Sequence, residues 1–459
     1  MAARSLATRE PNDRLEALIH EAAVSHAGLA RRVNMRGSRY GLDLRYDKTS
    51  VSRWVRGQRP RGRTTAIIAE VLGEKLGRTV SLEEIGMTDR ADLAAGAGLN
   101  FARDVAGAVE HACALWRSDA GQGRRPFGAT VSASALVSPS RDWLITGLDA
   151  SVSRSGGHRV ADADPDAVEA TLLSLATLDH RFGGGHVRPT LVHYLDSVVS
   201  GLLTGSYGDS LGRRLFSAAA RLTELAGYLA EDVGQPSLAQ RYYIQALRLS
   251  QAAGDRGFGG YVLAAGMSRL APQLGYPREV TQLARAAREG SVGRAPFTVQ
   301  SLCHAAEARG YALLGEKRLF TATMGQALEV LTRADPAAEA EWVSRFNQAY
   351  LAVELAHGYQ DLENPALAAR WAEKALTELP EARVRRRAVA LLLLATARVL
   401  DGEVEEGCRS AEQALDLMRG LRSHLATQRL SEFRRRLRAF HQVEAARCFY
   451  SRLTESATS

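Results

Sequence analysis

Basic and hydroxyl side chains are concentrated in one short stretch, residues 47–60, whose sequence is DKTSVSRWVRGQRP. Arginine and lysine can donate hydrogen bonds to guanine edges or neutralise phosphates, and serine and threonine can contact either group. The side chains of these types include Lys48, Thr49, Ser52, Arg53 and Arg56. Their chemistry is typical of contact with a nucleic acid, although a solvated basic face would have the same composition.

A short helix is predicted to position these side chains. Asp47 can cap it by accepting hydrogen bonds from the first free backbone N–H groups. Val51 and Trp54 lie three residues apart and therefore share one apolar face. Gly57 can end the helix in a left-handed conformation, and Pro60 prevents it from restarting. The stretch is thus predicted to be anchored on one side and cationic on the other.

The charge of the chain favours a polyanionic partner. The formal net charge is +8, and residues 31–63 contain 11 basic residues against only Asp43 and Asp47. A patch of this kind is the electrostatic signature of nucleic-acid binding.

Further helical patterns surround the basic helix. Residues 34–46 are an irregular segment rich in Gly and Arg, which separates the second pattern from the third. Five helices of which the third is small and basic are typical of a helix-turn-helix domain. The helices are predicted to begin at or next to Asn12, Ser25, Asp47, Thr64 and Ser81.

The first 90 residues resemble the lambda-repressor-like, xenobiotic-response-element family of helix-turn-helix domains. The resemblance is carried by GLARRV in the second helix, SVSRWVRGQRP in the third and IIAEVLGEKLG in the fourth. It implies a DNA-binding domain over residues 1–90 whose third helix enters the major groove. The chain departs from the family by inserting residues 34–46, for which a wing or hairpin is the expectation.

The resemblance also implies roles for individual side chains. Trp54 is expected in the core of the small domain rather than on DNA. Contacts to bases are expected from Lys48, Thr49, Ser52 and Arg53. Contacts to phosphates are expected from His26, Arg56, Arg59, Arg61 and Arg63.

Residues 91–164 carry weaker patterns. Residues 99–116 are predicted to form an amphipathic helix, and residues 130–137 a strand or an extended strap. The segment is interpreted either as a plain linker or as a dimerisation segment built around the helix.

A fixed spacing recurs through the rest of the chain. A Gly, or once a Glu, precedes an Ala by twelve residues, which predicts a helix, a turn and a closely packed second helix. The pairs are Gly234/Ala246, Gly275/Ala287, Gly315/Ala327, Glu363/Ala375 and Gly402/Ala414. This arithmetic resembles tetratricopeptide repeats lengthened to about 40 residues. It implies an α-solenoid over residues 165–424, with capping helices over 425–459, so the predicted fold class is all-α.

The concave face of such a solenoid is a candidate effector site, because repeat proteins bind peptides and small ligands there. Ordinary packing between helices would account for the same aromatic side chains. The candidate residues are Arg241, Tyr242, Tyr261, Tyr276 and Tyr311.

No enzymatic activity, cofactor or metal site is predicted. The sequence has no GxSxG or Walker motif, and the spacing of His180, His186 and His193 does not place them on one helical face. The four cysteines are scattered, which favours a reducing compartment. Neither a signal peptide nor an apolar run of about 20 residues is visible, so a cytoplasmic location is expected.

The combination of the two halves resembles actinomycete regulators, some of which restrain sporulation and antibiotic production. It implies a dimeric, sequence-specific transcriptional regulator, more often a repressor, acting on double-stranded DNA. Its repeats would dimerise the protein, bind a peptide, small-molecule or protein partner, or do both. The alternative is a repeat scaffold that acts mainly through protein–protein interaction, with DNA binding as an accessory.

Overall fold

The computed structural model describes residues 11–39, 42–58, 60, 64–78, 80, 84–87, 97–121, 133–335, 337, 339, 342–343 and 346–458. The chain divides into two compact units, residues 1–95 and 96–459. The regular elements of the described residues are helices, which confirms the predicted all-α class.

Four helices of the first unit begin where the capping residues predicted. The side chain of Asn12 accepts from Leu15 N at 3.0 Å, and Ser25 Oγ accepts from Gly28 N at 3.1 Å. The helix expected from Ser81 lies partly outside the described residues. The helices are α1 Asp13–Glu21, α2 His26–Arg39, α3 Lys48–Val55 and α4 Thr64–Leu76.

The insertion between α2 and α3 differs from the wing or hairpin expected for residues 34–46. Helix α2 continues through the first part of it, to Arg39. The side-chain amide of Asn34 then donates to Tyr46 O at 2.8 Å and accepts from Tyr46 N at 2.9 Å. Leu42 N also donates to Gly37 O. These bonds hold the described part of the insertion back along α2, a tertiary effect that local composition does not encode.

The second unit is a succession of helices. Its first helices are α5 Val105–Gly121, α6 Ala133–Ile145, α7 Asp164–Phe182, α8 Gly184–Tyr194 and α9 Ser200–Thr204, with a π-helical turn Leu195–Val199 before α9. The next are α10 Asp209–Asp232, α11 Pro236–Ala253, α12 Arg256–Tyr261, α13 Ser268–Leu270, α14 Glu279–Ser291, α15 Phe297–Leu313 and α16 Lys317–Leu331, with a π-helical turn Val262–Met267 before α13. The last are α17 Gln348–Asp361, α18 Pro365–Glu378, α19 Val384–Leu400, α20 Val404–Met418, α21 His424–Leu437 and α22 Glu444–Thr458, with a 3₁₀ turn Arg438–Phe440 before α22.

The recurring pairs twelve residues apart have the predicted geometry. Each first member has a positive φ, and each alanine is fully buried against the neighbouring helix. The φ values are 76° at Gly234, 90° at Gly275, 77° at Gly315, 54° at Glu363 and 91° at Gly402. Helical hairpins result in which α10 packs on α11, α15 on α16, α17 on α18 and α19 on α20.

The segment expected to be a linker or a dimerisation helix is instead part of the core of the second unit where it is described. Trp116 on α5 and Trp143 on α6 are both fully buried. Helix α5 packs on α8 and α11, and α6 packs on α11 and α14. The prediction of a strand over residues 130–137 is wrong, because α6 begins at Ala133.

Residues 97–104 run as an irregular strap over α11, although the helix predicted over residues 99–116 was expected to include residues 99–104. Arg241 donates to Ala97 O at 2.6 Å, Gln245 to Gly98 O at 2.9 Å and Arg248 to Ala102 O at 2.7 Å. These carbonyl groups accept side-chain donors from α11 rather than helical N–H groups. The helix therefore starts only at Val105.

Candidate functional site

Helix α3 is fixed at both ends by the residues that the sequence marks. Asp47 Oδ1 accepts from Ser50 N at 2.8 Å, and Ser50 Oγ is in turn bonded to Asp47 N at 3.3 Å. The Ser50 side chain and its backbone N–H lower the pKa of Asp47, since both bonds favour the carboxylate. At the other end Gly57 has a φ of 85°, and its N–H and that of Gln58 donate to the last free carbonyl groups.

The side chains of α3 divide into a buried and an exposed face. Val51, Trp54 and Val55 are buried, and Tyr46 contacts Trp54 edge to face with ring centroids 4.9 Å apart. The position predicted for Trp54 is therefore confirmed. On the other side lie the residues predicted to contact bases, all exposed except Ser52, which is half-buried: Lys48, Thr49, Ser52 and Arg53.

The cations of this face form no ion pair with a carboxylate among the described residues of the first unit. They are Lys48, Arg53 and Arg56. Nearby arginines are engaged, as Arg36 is with two glutamates of α4 and Arg45 with its neighbour Asp43. The exposed side of α3 therefore keeps positive charge that no ion pair neutralises, which is the kind of charge that an electrostatic contact with phosphates would use.

The predicted phosphate contacts are only partly visible. His26, at the start of α2, lies beside α3 and contacts Ser52 through Nδ1 and Oγ at 3.1 Å. Arg56 is exposed just after α3 and continues its basic face. Three further predicted residues, Arg59, Arg61 and Arg63, lie outside the described residues.

The candidate effector residues are mostly not on an open surface, so that prediction needs correction. Arg241 and Tyr242 are buried beneath residues 97–119, where Tyr242 Oη donates to Asp119 at 2.6 Å. Tyr311 is buried and bonded to Glu307, and Tyr276 is half-buried against the core. Only Tyr261 lines a cavity. Packing between helices explains the other four, because aromatic side chains suit both roles.

The second unit contains a partly open cavity of about 500 Å³. Its wall is made by the inner faces of helices from α7 to α21, and its floor is rich in alanine. The charged and imidazole side chains on the wall are Asp179, His180, Glu224, Glu231, Arg269, Arg309, Glu354, His357, Arg383, Arg385, Arg386, Arg429 and Glu432. A concave apolar space with a few convergent polar groups is the usual form of a small-molecule site.

The cavity forms because the last helices of the second unit pack against its first helices. Helix α19 packs on α7, and α21 packs on α10. Arg422 exchanges backbone hydrogen bonds with Phe182 and Gly185 at 3.0 and 3.2 Å. At Gly183, φ is 83° and a Cβ would lie 2.6 Å from the Arg422 carbonyl oxygen, so only glycine fits. The three consecutive glycines at positions 183–185 are therefore a docking point for the C-terminal helices.

Residues 425–459 were expected to cap an open array of repeats. Their helices do more than that, because α21 also lines the cavity. Leu425, Gln428, Arg429 and Glu432 of α21 face the cavity. The outer face of the same helix carries exposed arginines at positions 434–436.

The cavity residues escaped sequence analysis because nothing local marks them. Arg309, His357, Arg386 and Arg429 are separated by irregular intervals, and each looks like an ordinary polar residue of its own helix. The signal that could have found them is the inner face of each hairpin, taken together with the closure that brings the faces around one space.

Among the described residues no group of three or more His, Cys, Asp or Glu side chains is arranged to hold a metal ion. No described helix combines the length and apolar character needed to cross a membrane.

Comparison with known proteins gives one match, which falls within the first unit. Residues 15–88, which include most of α1 and all of α2–α4, are similar to the family described as the SP15 N-terminal domain. Neither a curated protein nor a solved structure matches the chain significantly.

Proposed function

We propose that the chain is a sequence-specific DNA-binding transcriptional regulator whose first unit is a helix-turn-helix domain with α3 as its recognition helix. The observation that carries the proposal is the division of α3 into two faces. Thr49, Arg53 and Arg56 repeat at helical spacing on the exposed side, opposite the buried Val51 and Trp54. A helix seated by its apolar face and carrying unpaired cations outward has the form of a major-groove reader.

Different positions on and around α3 are proposed to contact bases and phosphates. Lys48 and Thr49 lie in its first turn, the part of a recognition helix that usually contacts base edges. Arg53 is one turn further along and can donate both guanidinium edges to guanine O6 and N7. Arg56, beyond the helix end, and His26, at the start of α2, are placed to contact the phosphates on either side.

The second unit serves, in this proposal, as a tetratricopeptide-like solenoid for dimerisation, effector binding or both. Its helical hairpins, left-handed turn residues and buried alanines support that interpretation. A dimer would place two copies of α3 on two half-sites, which raises affinity and specificity together. Repression is the proposed outcome, since a protein seated on its operator blocks the DNA it covers.

The test is selection of genomic DNA fragments by the full-length protein, followed by binding measurements on the enriched fragment and on random DNA. We expect Arg53→Ala to lose about 1–3 kcal/mol on the enriched fragment and little on random DNA. Arg56→Ala should weaken both and reduce the salt dependence of binding. Arg14→Ala, an exposed arginine on α1, is the matched control and should change neither.

The alternative, a scaffold that acts through a partner protein, predicts a different result. Genomic selection would then enrich no motif, and Arg53→Ala would leave the recovered DNA unchanged. An equal loss on enriched and random DNA for Arg53→Ala would instead show that Arg53 contacts only the backbone.

A further inference from the structure

The cations around the cavity of the second unit are not spread evenly. Four inner helices each bring a basic or imidazole side chain to the wall near the others. These are Arg309 from α15, His357 from α17, Arg386 from α19 and Arg429 from α21, and α19 also brings Arg385 to the cavity. Burial, with the positive charges of Arg429, Arg309 and Arg386, lowers the pKa of His357 well below its ordinary value. The three guanidinium groups therefore lie close enough to His357 for their positive charges to act on it together.

Among the described residues, two of these three arginines have a carboxylate partner and the third has none. Arg309 pairs with Asp361, and Arg429 pairs with Glu432 at 2.8 Å. Arg386 forms no ion pair with any described residue, and its guanidinium instead lies 4.0 Å above the ring of Tyr350. A half-buried cation on an aromatic face has its donors available to a ligand, and the low dielectric around it strengthens an incoming anion's attraction.

Two polar groups on the cavity wall are also unsatisfied. Nδ1 of His357 is buried and has no hydrogen-bond partner among the described residues. The hydroxyl of Ser268, a residue only 1% exposed, likewise has no hydrogen-bond partner among the described residues. Buried polar atoms in folded proteins nearly always have a partner. Both residues line the cavity, which places unsatisfied polar groups directly behind its wall.

One part of the cavity wall is apolar. Ala264, Ala265, Ala305 and Ala306 line it together with Leu302. Small side chains at these positions leave free space that larger residues would fill. A volume of about 500 Å³ falls in the range of roughly 300–1,000 Å³ that is usual for small organic ligands.

We propose that this cavity binds a small amphiphilic anion. Its carboxylate or phosphate head group would lie on Arg386, beside Arg429 and His357, and its apolar body would extend along the alanine-lined floor. The proposal goes beyond DNA binding and does not depend on it, because every residue involved belongs to the second unit.

The test is isothermal titration of the full chain with matched probes. Decanoate and decyl phosphate share a chain and differ in the head group, and decanol has the chain without charge. We expect one of the two anions to bind at one site per chain, and decanol at least about tenfold more weakly, because it lacks the charge-assisted bonds. The tighter of the two anions identifies the head group.

Three variants locate the site. Arg386→Gln should reduce the affinity for the anion to that for decanol. Arg370→Gln alters an exposed arginine of α18 outside the cavity and should leave the affinity unchanged. Ala306→Leu fills the floor and should abolish binding of anion and decanol alike. Thermal melting of each variant checks that it is folded.

The proposal is overturned if decanol binds as tightly as both anions, or if folded Arg386→Gln and Ala306→Leu bind the anions like the unaltered protein. Because no DNA is present in these titrations, their failure would leave the proposed regulator function untouched. Loss of DNA recognition in Arg53→Ala would likewise say nothing about the cavity.

Discussion

The guanidinium of Arg385 donates to both carboxylate oxygens of Asp179 at 2.7 Å, across 206 positions of the sequence. It also donates to Asp232 at 2.9 Å, and all three side chains are almost fully buried. Asp232 accepts two further bonds, from Gly184 N at 2.9 Å and Ser423 Oγ at 2.5 Å. This cluster joins α7 and α10 to α19 and so closes the helices around the cavity.

Replacing Arg385 by Met should strongly destabilise the second unit. The substitution keeps an apolar stem but leaves two buried carboxylates without their cation. Removal of one partner from a buried ion pair costs about 3–5 kcal/mol. We expect a loss of this size in the free energy of unfolding, measured by urea denaturation at neutral pH.

Arg409→Met provides the comparison, because Arg409 pairs with Glu406 three residues away on the surface of α20. An exposed pair of this kind contributes roughly 0–1 kcal/mol. Equal stability of Arg385→Met and Arg409→Met would show that the buried cluster does not hold the closure together.

The closure also shows where sequence reasoning ends. Asp47, Gly57 and the five left-handed turn residues were predictable, because caps and turns depend on neighbours a few positions away. The pairing of Asp179 with Arg385 was not predictable. Asp and Arg are common residues, and no local sequence pattern indicates which two of them will meet across such a separation. For the same reason the insertion was misjudged, because the bonds that Asn34 forms with Tyr46 become visible only in the folded chain.

Glu363 occupies a turn position where the other four repeats have Gly. Its φ of 54° is a left-handed conformation, which costs a residue with a Cβ roughly 1–2 kcal/mol. Glu363→Gly should therefore raise the melting temperature of the second unit. Gly402→Ala, at the equivalent position with a φ of 91°, should lower the melting temperature. Calorimetry measures both changes. If Glu363→Gly melted earlier than the unaltered protein, the side chain would have a stabilising contact that outweighs the backbone strain.

Asp47 should make the first unit sensitive to acid. Its bonds to Ser50 hold its folded pKa below the ordinary value of 3.8. The stabilisation from the carboxylate cap is therefore complete above the unfolded pKa and is lost as the pH falls through the folded pKa. Asp47→Ala should lower the melting temperature of the first unit near neutral pH, and the difference should shrink in acid.

Asp47→Asn separates capping from charge. Asn can accept the same hydrogen bond from Ser50 N but does not titrate. Its melting temperature should lie close to that of the unaltered protein and should lack the acid-dependent component. A deficit of Asp47→Ala that persists unchanged into strong acid would contradict the assignment.

His357 links the proposed anion site to pH. The groups that face it are Arg309, Arg386 and Arg429, which oppose its protonation, and the carboxylates Glu354 and Glu432. In the empty cavity the imidazole is neutral at pH 7, because burial and the three arginines lower its pKa. An anion on Arg386 would offset their charge and raise the pKa of His357. Binding should then take up a proton, and affinity should increase as the pH falls.

Titration with decanoate from about pH 7.5 to about pH 6 tests this, since a carboxylic acid with an ordinary pKa near 4 stays ionised throughout. The dissociation constant should fall with pH, and the binding heat should depend on the ionisation enthalpy of the buffer. His357→Gln should remove both effects. His180→Gln should retain them, because His180 contacts Arg383 and is not among the groups that shift the pKa of His357. A pH dependence that survived in His357→Gln and disappeared in His180→Gln would assign the proton taken up to His180 and contradict the role of His357.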